Sequence, residues 1–272
     1  MRASGIINLA VFVFLAILAG VRPLPRRRRW KAISIGVLGA VLVFAAQGIG
    51  RGLPPLPASV VRDWLPSPLL LMVYWQAGQF FIQPNERFQQ WLLRSDRKLA
   101  DPVVAWLRGG RLRAWMAGYL EIAYLLCYPM VPLGLAALYL LHRGSYADRF
   151  WMAVLPPTYL CYVMVPFAPA LPPRALGTPG GTARASSIRS LNLGILQHAS
   201  IHANTFPSAH VAASMATALV LLTASPWVGA MFLWVAVSIA FGAVLGRYHY
   251  AMDAILGAAV AVAVFLGETV LR

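Results

Sequence analysis

The 272-residue chain has little charge, and most of it is of one sign. Charged residues make up 11% of it, under half of the roughly 25% usual in soluble domains. Eight acidic residues stand against 23 Lys and Arg, a formal net charge of +15. With 60% hydrophobic residues and repeated apolar runs of about twenty residues, this composition excludes an ordinary soluble domain. Cysteine is also scarce. Cys127 and Cys161 lie inside apolar runs without metal-ligand spacing, so no disulfide framework is indicated and both read as small buried hydrophobes. Lysine stops at Lys98.

The basic excess comes without a nucleic-acid recognition motif, so no nucleic-acid partner is expected. Basic loops orient membrane proteins and lie against anionic headgroups of the lipid bilayer. An anionic substrate is a further reading, which the motifs below favour.

Eight apolar segments read as spans: residues 6–21, 32–49, 65–82, 114–141, 150–168, 207–223, 227–246 and 250–266. The expected fold is all-α, a polytopic membrane helical bundle. "RPLPRRRRWK" follows the first run as a stop-transfer pattern, so that run is expected to be retained. Residues 84–113 mix charges with Phe88, Trp91, Leu92, Trp106 and Leu107, as amphipathic helices on a membrane surface do. Residues 169–205 form the longest polar stretch, and its small, basic part, 177–190, is expected to act as a lid.

On this map the polar residues converge. Arg174 follows the fifth span, His210 starts the sixth, and Arg247 and His249 join the seventh to the eighth. No crossing separates Arg174 from His210, and two separate His210 from His249. All therefore meet on one membrane face.

In "GRYHYAMDAILG", His249 and Asp253 stand at i, i+4, on one face of a helix. A carboxylate there fixes one ring nitrogen and leaves the other as nucleophile or base. The flanking tyrosines would equally suit an interfacial anchor. "NTFPSAH" reads as a helix start, with Thr205 or Ser208 as cap and Pro207 in the first turn. Free N–H groups there, with Ser208 and His210, suit a phosphate, and His210 can protonate a leaving oxygen. Arg174 and Arg247 read either as snorkelling anchors or as a phosphate clamp. His202, Asn204 and Glu121 are expected to line the same site, and Glu121 reads equally as a buried structural group. His198 and His202 share a zinc-like spacing, but no Cys or acidic triad accompanies them. The expected chemistry needs no cofactor or metal.

Together, "APALPPR", "HANTFPSAH" and "RYHYAMDAILG" resemble the type 2 phosphatidic acid phosphatase superfamily. They are most similar to its inositolphosphotransferase and inositol phosphorylceramide synthase branch. The resemblance covers residues 65–272, leaving 1–64 as a two-span extension. It implies a metal-independent lipid phosphatase or phosphotransferase working through a phosphohistidine. By motif position, His249 would be the nucleophile, Asp253 its orienter and His210 the general acid, then base. Ser208, Arg174 and Arg247 would hold the phosphate. The implied substrate is a phospholipid or polyprenyl phosphate, with water or another alcohol as acceptor. Two departures stand out. No lysine lies near Arg174, and Ala243 occupies the place of an arginine six residues before the nucleophile.

Two alternatives stand beside this reading: a plain phosphatidate or polyprenyl-pyrophosphate phosphatase, and a lipid or ion transporter with Glu121 and Asp253 as relay groups. The expected location is the plasma (inner) membrane. The basic loops put the active face in the cytoplasm, whereas the resemblance implies the outer or lumenal face.

Overall fold

The computed structural model describes residues 2–52, 54–107, 111–176 and 187–270. The described residues form thirteen α-helices and two short 3-10 turns, with no strand beyond one isolated bridge. Two helices open the chain: α1 (Ala3–Val21) and α2 (Arg26–Gly52). The short α3 (Pro55–Trp64) and α4 (Pro66–Gly78) lead to the surface helices α5 (Glu86–Leu99) and α6 (Asp101–Leu107). The bundle continues with α7 (Arg111–Leu125), α8 (Met130–Leu140) and α9 (Ala147–Val163). After α10 (Ser187–Ala199) come α11 (Ala209–Ala224), α12 (Pro226–Leu245) and α13 (Ala251–Val270).

Four helices are long and apolar enough to cross a bilayer: α1, α2 over Arg26–Gly48, α12 and α13. A fifth span results if α7 and α8 are taken together, although they meet at a 73° bend. Pro129 stands at that break, where it cannot continue the backbone ladder. The other three segments read as spans fall in α4, α9 and α11, of 13, 17 and 16 residues. All eight apolar segments are therefore helical, and length and composition qualify four or five of them as full crossings.

The α1 sequence shows how this surface is divided. It buries Ser4, Asn8, Phe12, Leu15 and Ala19, spaced by four, four, three and four residues, which is one face of a 3.6-residue helix. Ile6, Val13, Phe14 and Ile17 are turned outward. Outward apolar residues suit lipid, so packing between helices rests on close van der Waals fit and a few polar contacts. Gln76 of α4 donates Nε2 to the backbone oxygens of Phe12 and Ala32, 3.1 Å each. Asn8 accepts from the Tyr159 hydroxyl at 2.5 Å. Helices α1 and α2 thus share one core with α4, α9 and α11.

Helix α11 is the centre of the bundle and packs on α8, α9, α12 and α13. Ala209, Ala212, Ala213, Ala216 and Ala218 are all buried, and small residues of this kind let neighbours approach closely. At Gly257 of α13 the approach is so close that a Cβ would stand 2.5 Å from the Ser208 carbonyl oxygen. Glycine there sets the separation between the starts of α11 and α13.

Candidate active site

The site forms where α12 ends, α13 begins and α11 begins beside them. Helix α12 stops at Gly246, and the next residue, Arg247, has φ +65°. A bulky residue in the left-handed region is strained and persists only where its surroundings hold it. Here the Ala243 carbonyl accepts from both Tyr248 N (2.8 Å) and His249 N (2.9 Å). Arg247 donates Nη1 to Asp96 (3.3 Å) and Nη2 to Asp101 (2.5 Å). Asp96 also accepts from Ala251 N at 2.8 Å, at the first turn of α13. The tight turn therefore presents His249 between two helix ends.

Asp253 holds the imidazole. Its Oδ2 accepts from Asn204 Nδ2 (2.7 Å) and Tyr250 N (3.0 Å) and lies 3.2 Å from His249 Nδ1. The Tyr250 bond is the back half of a capping box, a third-position carboxylate reaching the residue just before the helix. With Nδ1 against the carboxylate, Nε2 of His249 is the ring nitrogen left for chemistry. Burial, and then the charge of Arg174, push the His249 pKa down to about 3, so the ring is neutral.

Ser208 caps α11, its hydroxyl accepting from Val211 N at 3.5 Å, and its own N–H donates to the Asp253 carbonyl at 2.9 Å. His210 stands in the first turn of α11, half-buried. Its ring centroid is 5.7 Å from that of His249, nearly perpendicular. Tyr124 and Tyr128 pack edge-on to His210 at 6.0 and 5.8 Å. Arg174 reaches the same turn, donating Nη1 to the Tyr248 carbonyl (3.2 Å) and N to the Arg247 carbonyl (3.0 Å). His249, Asp253, His210, Ser208, Asn204 and Arg174 are thus brought together, with two helix N-termini side by side. Such ends present N–H groups and partial positive charge.

Three expected residues sit elsewhere. Both Nη atoms of Arg247 are engaged by carboxylates, so it braces the turn from behind instead of facing the imidazoles. Glu121 accepts from Arg189 (2.5 Å), Asn192 (2.9 Å) and the Tyr248 hydroxyl (2.5 Å), one residue from His249. Tyr248 in turn stacks on Tyr124 at 3.8 Å. His202 is exposed, at φ 57°, on the rim of a separate hollow with His198. Among the described residues, no group of three or more His, Cys, Asp or Glu side chains is placed to hold a metal ion. Residues 177–186, most of the expected lid, lie outside the described residues.

Sequence reasoning missed the role of α5. Its buried stripe is Gln89, Leu92 and Asp96, at i, i+3 and i+7, and two of the three are polar. Gln89 accepts from Leu171 N at 2.7 Å and donates to the Tyr250 hydroxyl. Phe88 and Trp91 pack edge-on against Phe206 of "NTFPSAH". Polar residues on the apolar face of an amphipathic helix were the available signal. This helix is a strap that grips both halves of the site.

A cavity of about 760 Å³ opens beside His210. Its wall is mostly apolar, including Leu70, Leu71, Leu125, Leu126, Val131 and Leu196. It passes between α4 and the break joining α7 to α8, where the rim residues Leu71, Trp75 and Tyr128 are exposed on the outer surface.

A family model described as the PAP2 superfamily matches residues 90–267, more than half of the chain. No curated protein and no solved structure matches it.

Proposed function

The chain belongs to the PAP2 superfamily, a family of phosphatase-type lipid enzymes of helical membrane fold, and on that premise we propose that it transfers the phosphorus-bearing group of a lipid through a phosphohistidine at His249. In the first step Nε2 of His249 bonds to phosphorus, the bond from phosphorus to the leaving oxygen breaks, and His210 gives that oxygen a proton. Asp253 keeps Nδ1 engaged and stabilises the imidazolium-like state. In the second step an acceptor oxygen gives its proton to His210, bonds to phosphorus, and frees His249. Arg174, Ser208 and the N–H groups of α11 hold the phosphate oxygens, where positioning and charge stabilisation supply most of the rate. Arg247 keeps the turn in place from behind. Neither step calls for a metal or cofactor.

The observation that carries this reading is the pair of imidazoles 5.7 Å apart, one held by a buried carboxylate, beside an apolar cavity. The cavity accepts the lipid tail. The acceptor is water or an alcohol, and the motif likeness to inositolphosphotransferases favours an alcohol with phosphoinositol as the group moved. The bilayer on this reading is the plasma (inner) membrane.

The purified protein is to be incubated separately with phosphatidate, phosphatidylinositol and a polyprenyl pyrophosphate, each labelled at phosphorus, and quenched in alkali. We expect label on His249 with at least one of them. Turnover in a His249→Ala variant, with no labelled histidine in the native protein, would overturn the mechanism.

A further inference from the structure

A second hollow, of about 560 Å³, lies next to the apolar cavity. Arg28 and Lys31 of α2 line it, with His198 at the end of α10 and His202 in the segment that follows. Among the described residues, no carboxylate lines it. The two spaces share Trp75, Ala199 and Ser200 as a common wall. Trp75 is amphipathic, and its indole N–H donates to the Ala199 carbonyl at 3.1 Å.

The local backbone keeps these groups in place. Arg28 donates to the Phe81 carbonyl, tying the start of α2 to the segment after α4. A Cβ on Gly78 would stand 2.3 Å from the Ile201 side chain, so the end of α4 is pressed against the His202 segment. His202 has φ 57°, and its N–H donates to the Ser200 hydroxyl at 2.9 Å. A left-handed backbone outside glycine is uncommon and concentrates where a side chain must be aimed.

We propose that this hollow is a second phosphate site, which takes the headgroup of an anionic phospholipid whose tail lies in the adjoining apolar cavity. The ligand chemistry is a phosphate anion held by a guanidinium, an ammonium and imidazole N–H groups. The tail space explains why the phosphate is lipid-borne: the apolar chamber is lined by His210 and also shares a wall with the basic hollow. Binding there is independent of the chemistry proposed for His249.

The test uses the full chain carrying His249→Ala, in phosphatidylcholine nanodiscs containing phosphatidate with a photoreactive diazirine beside the glycerol. After irradiation, mass spectrometry maps the adducts. Adducts are expected on residues 75–82 and 198–202 of the His249→Ala protein, in which the probe keeps its phosphate. Arg28→Gln with Lys31→Gln should lower that yield about tenfold, since each basic group near a lipid surface adds to anionic binding. Should the double variant misfold, Lys31→Gln and His202→Gln, at exposed side chains, each serve in its place. The same probe as a diacylglycerol should leave the hollow unlabelled. Adducts confined to residues 204–210 and 249–253, or undiminished in the variants, would overturn the site. Displacement by an equal concentration of inorganic phosphate would overturn the lipid assignment. Persistence against it supports the lipid source.

Discussion

Asp63 and Asp253 are both buried, at opposite ends of the helical bundle, and they are used in opposite ways. Helix α9 runs between them. Trp151 near its start donates to the Asp63 carbonyl at 2.7 Å, and the chain beyond its end leads to the Ala170–Asn204 bridge beside Asp253. Asp63 is paired with a fixed cation, Arg2, and takes the Tyr139 hydroxyl at 2.7 Å. Its charge is neutralised in place, and the cluster ties α1, α3, α8 and α9 together. Among the described residues, no guanidinium or ammonium pairs with Asp253. Its donors are an amide, a backbone N–H and an imidazole. A carboxylate matched by a permanent cation is finished chemically, whereas one matched by an imidazole can stabilise charge that appears during a reaction.

The largest effect expected from breaking this contrast is at the Asp253 end. His249→Ala should lower turnover by about 10⁴-fold or more, with the thermal unfolding profile in detergent little changed. Asp253→Asn keeps the shape and removes the charge; turnover should fall by about 10²- to 10⁴-fold, with substrate binding affected far less. A Gly257→Ala chain sharpens the geometry, because the added Cβ must push α13 away from Ser208. Its kcat should fall about 10- to 100-fold while KM barely moves. A raised KM with kcat unchanged would mean that the spacing of the helix starts matters for binding alone.

A smaller effect concerns pH. Burial first, opposed by Ala251 N and Arg247, pushes the Asp96 carboxyl up to about 6. Above that pH Asp96 is anionic and grips Arg247; below it the ion pair loses its charge and the strained turn loses a support. The profile of kcat against pH should therefore show a moderate fall below about 6, which Asp96→Asn removes. His249, held down at about 3, does not supply that limb. The smallest effect on chemistry belongs to the other end. Asp63→Asn should cost about 1–3 kcal/mol of stability, read as a lower melting temperature, and leave turnover per folded molecule unaltered. Lost turnover in a folded Asp63→Asn protein would abolish the distinction between the two aspartates.

Much of this was legible in the chain. Apolar runs located the segments that become α1, α2, α4, α7 with α8, α9, α11, α12 and α13, while α3 and α10 fall in stretches that read as loops. The i, i+4 spacing of His249 and Asp253 and the helix-start pattern of "NTFPSAH" located the two halves of the centre. Counting crossings led to the expectation that they meet, and the rings of His210 and His249 stand 5.7 Å apart. What the sequence hid depends on partners far along the chain. Arg247 reads as a clamp until Asp96 and Asp101 are seen to hold both its Nη atoms. His202 lies a few residues from Asn204, yet a left-handed backbone turns it into another hollow. The break between α7 and α8 hides inside a single apolar run, since composition counts residues and says nothing of where a run bends.

That break also changes how encounter with substrate is to be counted. Because the cavity opens sideways through the wall of the bundle, on the proposed reading a lipid never has to leave the bilayer to reach His210. The search takes place in two dimensions. Its frequency follows the surface mole fraction of the lipid, so a saturation curve plotted against bulk concentration would measure the detergent as much as the enzyme.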